Sequence, residues 1–193
     1  MKNYLVGYGS LISKESRLNT GVSDKCIPIK VSGFRREWNV IIPEEGATYL
    51  GVVRDSENYF NGVLFEVFED EIAKFDKRET EYYERILIDK KYIKFLNIQI
   101  DLYETMIWIY ISKNPSRPNS EYPVINSYVN TVLNGVLNLG KDFYDEFIRT
   151  TFGLDFIYDD LDNPRYPYLV KDEEMLLNKE ILDKDIKRGE KWK

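Results

Sequence analysis

The sequence predicts an α+β fold, a mainly antiparallel sheet or barrel with helices at the C-terminal end of the chain. Two features support this prediction. Short apolar or alternating segments, typical of β-strands, dominate up to about residue 112, and two patterns with apolar residues at spacings of three and four follow them. Hydrophobic residues make up 43% of the 193 residues, which is enough for a buried core.

The strands are predicted in chain order, beginning with residues 3–7 before a glycine turn. Residues 26–42 indicate two strands joined by a turn at Ser32-Gly33. A hairpin is predicted around residues 55–58, between alternating segments at 48–54 and 59–67. Three more strand-like segments follow, rich in Ile, Tyr and Trp, at 84–89, 92–100 and 104–112.

Four segments have helical patterns. Residues 69–79 begin acidic and end basic, as a helix dipole favours. The proline-containing loop 113–123 precedes the others, predicted at 124–139, 141–151 and, with a polar character, 171–188. Residues 155–168 have no regular pattern. We therefore predict one domain over residues 1–150 and an extension over 151–193 that packs on it.

Composition narrows the class of protein. The net charge is −6 with no evident stripe of Lys and Arg, which argues against a nucleic-acid binder. No run of about 18 apolar residues predicts a transmembrane helix, and the N-terminus lacks the pattern of a signal peptide. A single cysteine, Cys26, cannot form an internal disulfide. We expect a cytoplasmic protein.

The chain contains no histidine. This excludes Ser-His-Asp or Cys-His catalysis within one chain, and any metal site built on His ligands. If the protein performs acid–base chemistry, the proton must be carried by Glu, Asp, Lys or Tyr.

Several motifs resemble known sites without meeting their requirements. Gly7-Tyr8-Gly9 follows a strand, but Ile12 occupies the third glycine position of a dinucleotide fingerprint. Residues 135–141 match the glycines and lysine of a phosphate loop, yet Asp142 replaces the hydroxyl that must hold magnesium, so we interpret them as a helix-to-helix turn. The acidic cluster at residues 159–162 lacks the glycine and glutamate of a calcium loop.

Arg35-Arg36 could suggest an anion site. On an alternating strand, however, one of two adjacent side chains is expected to face water.

Glu79 is the candidate catalytic residue. On a wheel of about 100° per residue, it lies on the same stripe as Ile72 and Phe75 of the helix at 69–79. A carboxylate is not expected on such an inward-facing stripe, and burial would raise its pKa toward the range useful for a general base. The alternative is a frayed helix end, or a Glu79 paired with Arg85.

A second candidate element is the turn Tyr8-Gly9-Ser10-Leu11 after the first strand. Two glycines within three residues allow consecutive N–H groups to point into one concavity, which favours an anion or a developing oxyanion. The alternative is an ordinary strand-to-helix turn capped by Ser10.

Taken together, five segments resemble the γ-glutamyl cyclotransferase-like superfamily (AIG2-like). They are GYGSL at 7–11, SGFRREWN at 32–39, NGVLFEV at 61–67, FDKRETEYYER at 75–85 and WIYI at 108–111. The family includes cyclotransferases that act on γ-glutamyl amino acids, γ-glutamylamines and glutathione. The resemblance covers residues 3–150 and implies a small mixed, mainly antiparallel β-barrel with flanking helices.

The resemblance also implies roles for individual residues. Glu79 matches the family's catalytic glutamate, and Tyr8, Gly9, Ser10 and Leu11 match the loop that cradles the substrate. Tyr83 and Tyr110 fall where members place pocket tyrosines. Thr80-Glu81 follows Glu79 where many members have glycine, and residues 151–193 have no counterpart in the smaller members. Residues 163–167 could be a lid, an oligomer contact or a packed tail, of which we favour the packed tail.

The chemistry that the resemblance implies agrees with the residues available. Ring closure of a γ-glutamyl amine or peptide to 5-oxoproline needs orientation, a base and stabilisation of the carbonyl oxygen. One carboxylate can take the proton and return it to the leaving amine, with no metal or cofactor. We expect a small γ-glutamyl substrate, no nucleic-acid or membrane partner, and a monomer or homodimer. The alternatives are a non-catalytic module that binds a small carboxylate, or an interaction domain that uses the tail.

Overall fold

We analysed a computed structural model of the chain that describes residues 1–21, 25–79 and 81–166. In this part of the chain, nine strands form one sheet: β1 (Lys2–Gly7), β2 (Ile27–Ile42), β3 (Ala47–Val67), β4 (Tyr83–Leu87), β5 (Ile93–Phe95), β6 (Thr105–Ser112), β7 (Val124–Ile125), β8 (Thr151–Phe152) and β9 (Ile157–Tyr158). The helices are α1 (Lys14–Leu18), α2 (Glu69–Glu79), α3 (Asn126–Leu137) and α4 (Lys141–Arg149). Single 3-10 turns lie at Ser10–Ile12, Pro43–Glu45 and Lys90–Tyr92.

The sheet is mixed but mainly antiparallel. The main strands run in the order β4-β6-β1-β3-β2-β5. β1 is parallel to β6, whereas β1–β3, β2–β3, β2–β5 and β4–β6 are antiparallel. The predicted α+β class, with a mainly antiparallel sheet and flanking helices, is therefore confirmed.

The two strand segments predicted on either side of Ser32-Gly33 are in fact one continuous strand, β2. The hairpin predicted around residues 55–58 is also wrong, because both of its halves belong to β3 and pair with β2. The register jumps from Ser32↔Tyr59 to Phe34↔Arg54, so the polar residues 55–58 bulge out opposite Gly33, which has a φ of 80°. Turn-forming residues here produce a bulge in a long strand pair instead of a chain reversal.

The sheet separates two hydrophobic clusters. One cluster is built only from strands and their connections, and it includes Val6, Val31 and Phe60. A cluster without a helix is what a strongly curved sheet encloses. The other cluster packs the opposite face against α2, α3 and α4, through residues such as Phe75 and Val132.

The helices agree closely with their predicted positions. α2 spans the predicted residues 69–79, and α3 and α4 lie within 124–139 and 141–151. The phosphate-loop-like segment is a helix-to-helix turn, as interpreted, with Gly140 at a φ of 103° between α3 and α4. A side chain at Gly135 would approach the Ser13 backbone nitrogen to 2.6 Å, so this glycine permits close packing of α3 on the turn after β1.

The regions that remain differ in part from the predictions. Of the predicted strand at 92–100, only Ile93–Phe95 is a strand. β8 and β9, beyond the predicted boundary at residue 150, pair with β2 and β7. The helix predicted at 171–188 lies outside the described residues.

No helix in the described stretches has both the length and the apolar character needed to cross a bilayer.

Candidate active site

A small cavity of about 30 Å³ lies where β1 ends. All seven residues that the sequence analysis singled out surround it: Tyr8, Gly9, Ser10, Leu11, Glu79, Tyr83 and Tyr110. Val6, Leu50 and Tyr128 complete the lining. A larger cavity of about 360 Å³ shares Ser10, Glu79, Tyr83 and Tyr128 with it, so the two form an inner and an outer part of one pocket.

The floor of the pocket is the glycine turn between β1 and α1. Gly9 precedes a 3-10 turn, Ser10–Ile12, whose first N–H groups have no partner within the turn. A Cβ atom on residue 9 would lie 3.3 Å from the Tyr128 hydroxyl, so the glycine leaves room for this hydroxyl to approach the turn. The buried Arg36 donates a hydrogen bond from Nη1 to the Tyr8 carbonyl at 3.3 Å, which helps to orient the turn.

Glu79 is the last residue of α2 and lies on the same face as Ile72 and Phe75, which are buried. Its side chain is 15% exposed. Burial raises the pKa of Glu79, and the positive charge of Arg78 opposes that rise. Arg85 is not its partner, because the Arg85 Nε lies 2.8 Å from Asp76 Oδ1. Glu79 is therefore a mostly buried carboxyl group whose affinity for a proton is increased.

Four tyrosines surround the carboxyl group of Glu79. Burial is the main reason that the pKa values of Tyr8 and Tyr83 are raised, and the negative charge of Glu79 adds to it. Burial together with Glu79 raises the pKa of Tyr128 to about 12. Tyr83 donates to the Leu50 carbonyl at 2.8 Å, and Tyr110 donates to Asp76 Oδ1 at 2.9 Å. All four hydroxyls stay protonated at neutral pH, but Tyr83 and Tyr110 already donate their protons to acceptors of the protein.

Arg78 connects the separate parts of this site. Its Nε lies 3.1 Å from Glu79 Oε1, and its Nη2 donates to Ser10 Oγ at 2.9 Å. Nη1 donates to Thr20 Oγ1 at 2.7 Å, just after α1. On a wheel of about 100° per residue Arg78 lies on a different side of α2 from Ile72 and Glu79, but its long side chain reaches back to the pocket.

Sequence reasoning missed other pocket residues too. The outer cavity is lined by aromatic and polar side chains that come from four distant parts of the chain, among them Glu45, Tyr49, Tyr82, Tyr128 and Tyr166. Only Tyr128 had a detectable signal, a hydroxyl within the apolar pattern of a helix. The others belong to loops or strands in which tyrosine is unremarkable.

Among the residues that the structure describes, no group of three or more Cys, Asp or Glu side chains is arranged to bind a metal ion. The polar groups of the pocket are instead two carboxyls, Glu45 and Glu79, one guanidinium, several phenols and smaller polar side chains, and the backbone N–H groups of a turn. Such a set suits the binding of a small polar molecule and the movement of a proton on it.

A carboxyl group of raised pKa beside a glycine turn is the arrangement expected of a site for acid–base chemistry on a small polar molecule. The family model described as gamma-glutamyl cyclotransferase, AIG2-like matches residues 5–128. The chain belongs to this family, as the resemblance of the five segments indicated. No curated protein matches the chain.

Solved structures share the fold at low identity. A structure named "Gamma-glutamyl cyclotransferase" has a TM-score of 0.60 at 12% identity, over 93% of this chain and 99% of that one. Human uncharacterized protein loc79017 has a TM-score of 0.56 at 12% identity, over 92% and 98% of the two chains. YkqA from Bacillus subtilis has a TM-score of 0.57 at 15% identity, over 77% of this chain and 53% of that one.

Proposed function

We propose that the protein is a γ-glutamyl cyclotransferase that releases 5-oxoproline from a γ-glutamyl amine or γ-glutamyl peptide. Glu79 is its general acid and base, and the substrate is a small cytoplasmic compound bound without a cofactor. The observation that carries the proposal is the position of Glu79, a carboxyl of raised pKa facing the glycine turn in the inner cavity. Membership of the family supports the same reaction.

In the proposed reaction, ionised Glu79 takes a proton from the substrate α-ammonium group. The freed amine attacks the γ-carbonyl carbon, so a C–N bond forms and the carbonyl oxygen becomes an oxyanion. In this proposal the backbone N–H of Leu11, at the start of the 3-10 turn, stabilises that oxyanion, because the Ser10 N–H already donates to the Tyr128 hydroxyl.

Collapse of the tetrahedral intermediate breaks the bond to the original amine. Glu79 returns its proton to that nitrogen, and the second proton lost by the attacking nitrogen follows it, so the amine departs as an ammonium ion. One carboxyl group can serve both steps, because it is regenerated in its ionised form. The neutral hydroxyls of Tyr8 and Tyr128 can donate hydrogen bonds to the bound substrate throughout, whereas that of Tyr83 already donates to the Leu50 carbonyl and can only accept.

One observation favours the alternative of a non-catalytic module that binds a small carboxylate. The ion pair between Glu79 and Arg78, at 3.1 Å, weakens the carboxylate as a base. In that case a γ-glutamyl compound would raise the melting temperature of the protein without being converted.

The experiment that separates the two is direct measurement of 5-oxoproline by mass spectrometry. The protein is incubated with γ-glutamyl amino acids, γ-glutamylamines and glutathione, and each compound is also tested for thermal stabilisation. Release of 5-oxoproline from any of them establishes the reaction. Stabilisation without release by the folded protein contradicts the enzymatic proposal and supports the binding module.

Replacing Arg78 by Met is expected to move the acid limb of the kcat/KM profile to higher pH. The guanidinium opposes the rise that burial imposes on the pKa of Glu79, so its removal raises that pKa further. The ionised base then forms only at higher pH. The measurement is kcat/KM as a function of pH for the wild type and the variant.

Two controls accompany this prediction. Arg78→Lys keeps the charge and should leave the acid limb closer to the wild-type position, whereas Lys77→Met removes an exposed charge from the same helix and should not shift it. If Arg78→Met lowers the rate equally at every pH, Arg78 only holds Ser10 and α1 in place and does not tune Glu79.

A further inference from the structure

The outer cavity has a wall that comes from beyond the region matched by the family model. That region ends at residue 128, yet Tyr166 lines the outer cavity. Its ring lies 5.2 Å from the ring of Tyr128 and 6.1 Å from that of Tyr49, measured between centroids. Three aromatic rings from three distant parts of the chain therefore meet at this wall.

The segment that carries Tyr166, residues 159–166, is called the strap here. Its Asp160 accepts hydrogen bonds from the Ser127 backbone N–H at 2.8 Å and from the Ser127 hydroxyl at 2.6 Å. The Tyr166 N–H donates to Ser127 Oγ at 3.2 Å, and Arg165 Nη1 donates to the Glu45 carbonyl at 2.7 Å. The strap is thus fixed both to the start of α3 and to the turn before β3.

The hydroxyl end of Tyr166 is also held. The Tyr166 hydroxyl lies 3.2 Å from Glu45 Oε2 and within hydrogen-bond distance of the Tyr49 hydroxyl, and it can donate its one proton to either. Tyr49 in turn donates to the same carboxylate. Because Tyr166 is fixed at its backbone and at its hydroxyl, its ring presents a rigid apolar face to the cavity. The side chain therefore loses little conformational entropy when a ligand packs on it.

The two parts of the pocket differ in size. The inner cavity, with Glu79 and the glycine turn, has about 30 Å³ of free space, and the outer cavity has about 360 Å³. If the γ-glutamyl group reacts beside Glu79, the departing amine has room only on the outer side. The rings of Tyr49, Tyr128 and Tyr166 are then part of the apolar surface against which it can pack.

We infer that the strap completes the substrate pocket and that Tyr166 is a specificity-determining residue, which selects γ-glutamyl compounds whose leaving amine carries an aromatic or long aliphatic group. This inference rests on the proposed function. It also revises the interpretation of residues 163–167 as a packed tail, because the described part of this segment, up to Tyr166, both packs on the domain and faces the cavity.

The test compares two substrates that differ only in the leaving amine, γ-glutamylbenzylamide and γ-glutamylmethylamide. For Tyr166→Ala we expect kcat/KM for the benzylamide to fall about tenfold or more, and that for the methylamide to stay within about twofold. Tyr166→Phe, which keeps the ring, should retain the preference. Tyr158→Ala is the matched control, because Tyr158 lies nearby on β9, is exposed and is not part of the cavity lining.

The outcomes are distinguishable. Suppose that the wild type converts both substrates. If Tyr166→Ala then lowers kcat/KM equally for the two, or lowers it for neither, the selective role of Tyr166 is wrong while the proposed reaction stands. A folded wild type that converts neither amide but releases 5-oxoproline from another γ-glutamyl compound overturns this inference alone. One that converts no γ-glutamyl compound overturns the proposed function, and this inference with it. Retained conversion of the methylamide by Tyr166→Ala also shows that the variant is folded.

Discussion

Replacing Glu79 by Gln is expected to lower kcat for 5-oxoproline release by about 10²–10⁴-fold. The amide keeps the size and shape of the side chain but can neither accept the proton of the substrate nor return it. Release of 5-oxoproline by wild type and variant, measured by mass spectrometry, gives the comparison. Glu69→Gln at the exposed start of the same helix makes the same chemical change outside the pocket and should retain activity.

The Glu79→Gln variant should also be more stable than the wild type at neutral pH. Burial raises the pKa of Glu79 in the folded protein above its unfolded value. Between these two pKa values the folded state binds more protons than the unfolded state, so stability falls as pH rises through this window. Because glutamine does not titrate, the variant does not lose this stability as the pH rises. The melting temperature of Glu79→Gln should therefore exceed that of the wild type at pH 7 and approach it at acidic pH.

The pair of measurements distinguishes catalysis from structure. A variant that is stable but inactive shows that Glu79 is retained at a cost in stability, as expected of a functional group placed in a pocket. A Glu79→Gln protein with full activity and an unchanged fold would show that another group moves the proton. A destabilised variant would show instead that the ion pair with Arg78 holds the end of α2.

Features that depend on residues close together in the chain could be predicted from the sequence, whereas features that depend on distant residues could not. α2 and the inward position of Glu79 depend on residues within three turns of one helix, so periodicity was sufficient. The hairpin at residues 48–67 was wrong because both of its halves pair with β2 rather than with each other, the first at separations of 7 to 20 residues and the second at 27 to 37. Alternation along a strand reveals which faces are buried but not which strand is the neighbour.

The candidate site shows the same limit. The glycine turn and Glu79 were recognised because each has a local signature, and the structure brings them to one cavity. The reach of Arg78 to Ser10 and the approach of Tyr166 to Tyr49 depend on how side chains and distant segments fold back. Neither has a periodic signal in the sequence.

Arg36 is the residue whose replacement should cost the most stability. Its side chain is fully buried, and its guanidinium lies 3.6 Å above the ring of Phe147. All of its hydrogen-bond partners are oxygen atoms of the interior: the carbonyls of Tyr8, Asn61 and Phe147, the side-chain oxygen of Asn61, and the hydroxyls of Thr150 and Thr151.

Replacing Arg36 by Met keeps much of the length of the side chain but removes all six of these hydrogen bonds to buried acceptors. An unsatisfied buried polar group costs about 1–3 kcal/mol, so we expect a loss of about 3–5 kcal/mol in the free energy of unfolding. For a domain of this size that corresponds to a melting temperature lower by about 10 °C. Thermal unfolding followed by circular dichroism measures the change.

The adjacent arginine provides the matched control. Arg35 points to the other face of β2, where it is 37% exposed and pairs with Glu37 and Asp55 at 3.0 Å. Because exposed ion pairs contribute little, Arg35→Met should lower stability by about 1 kcal/mol or less. Equal losses for the two variants would mean that the hydrogen bonds of Arg36 contribute nothing beyond an ordinary surface charge. A large difference would show that the buried guanidinium joins β2, β3 and α4 beneath the glycine turn, and so supports the floor of the pocket.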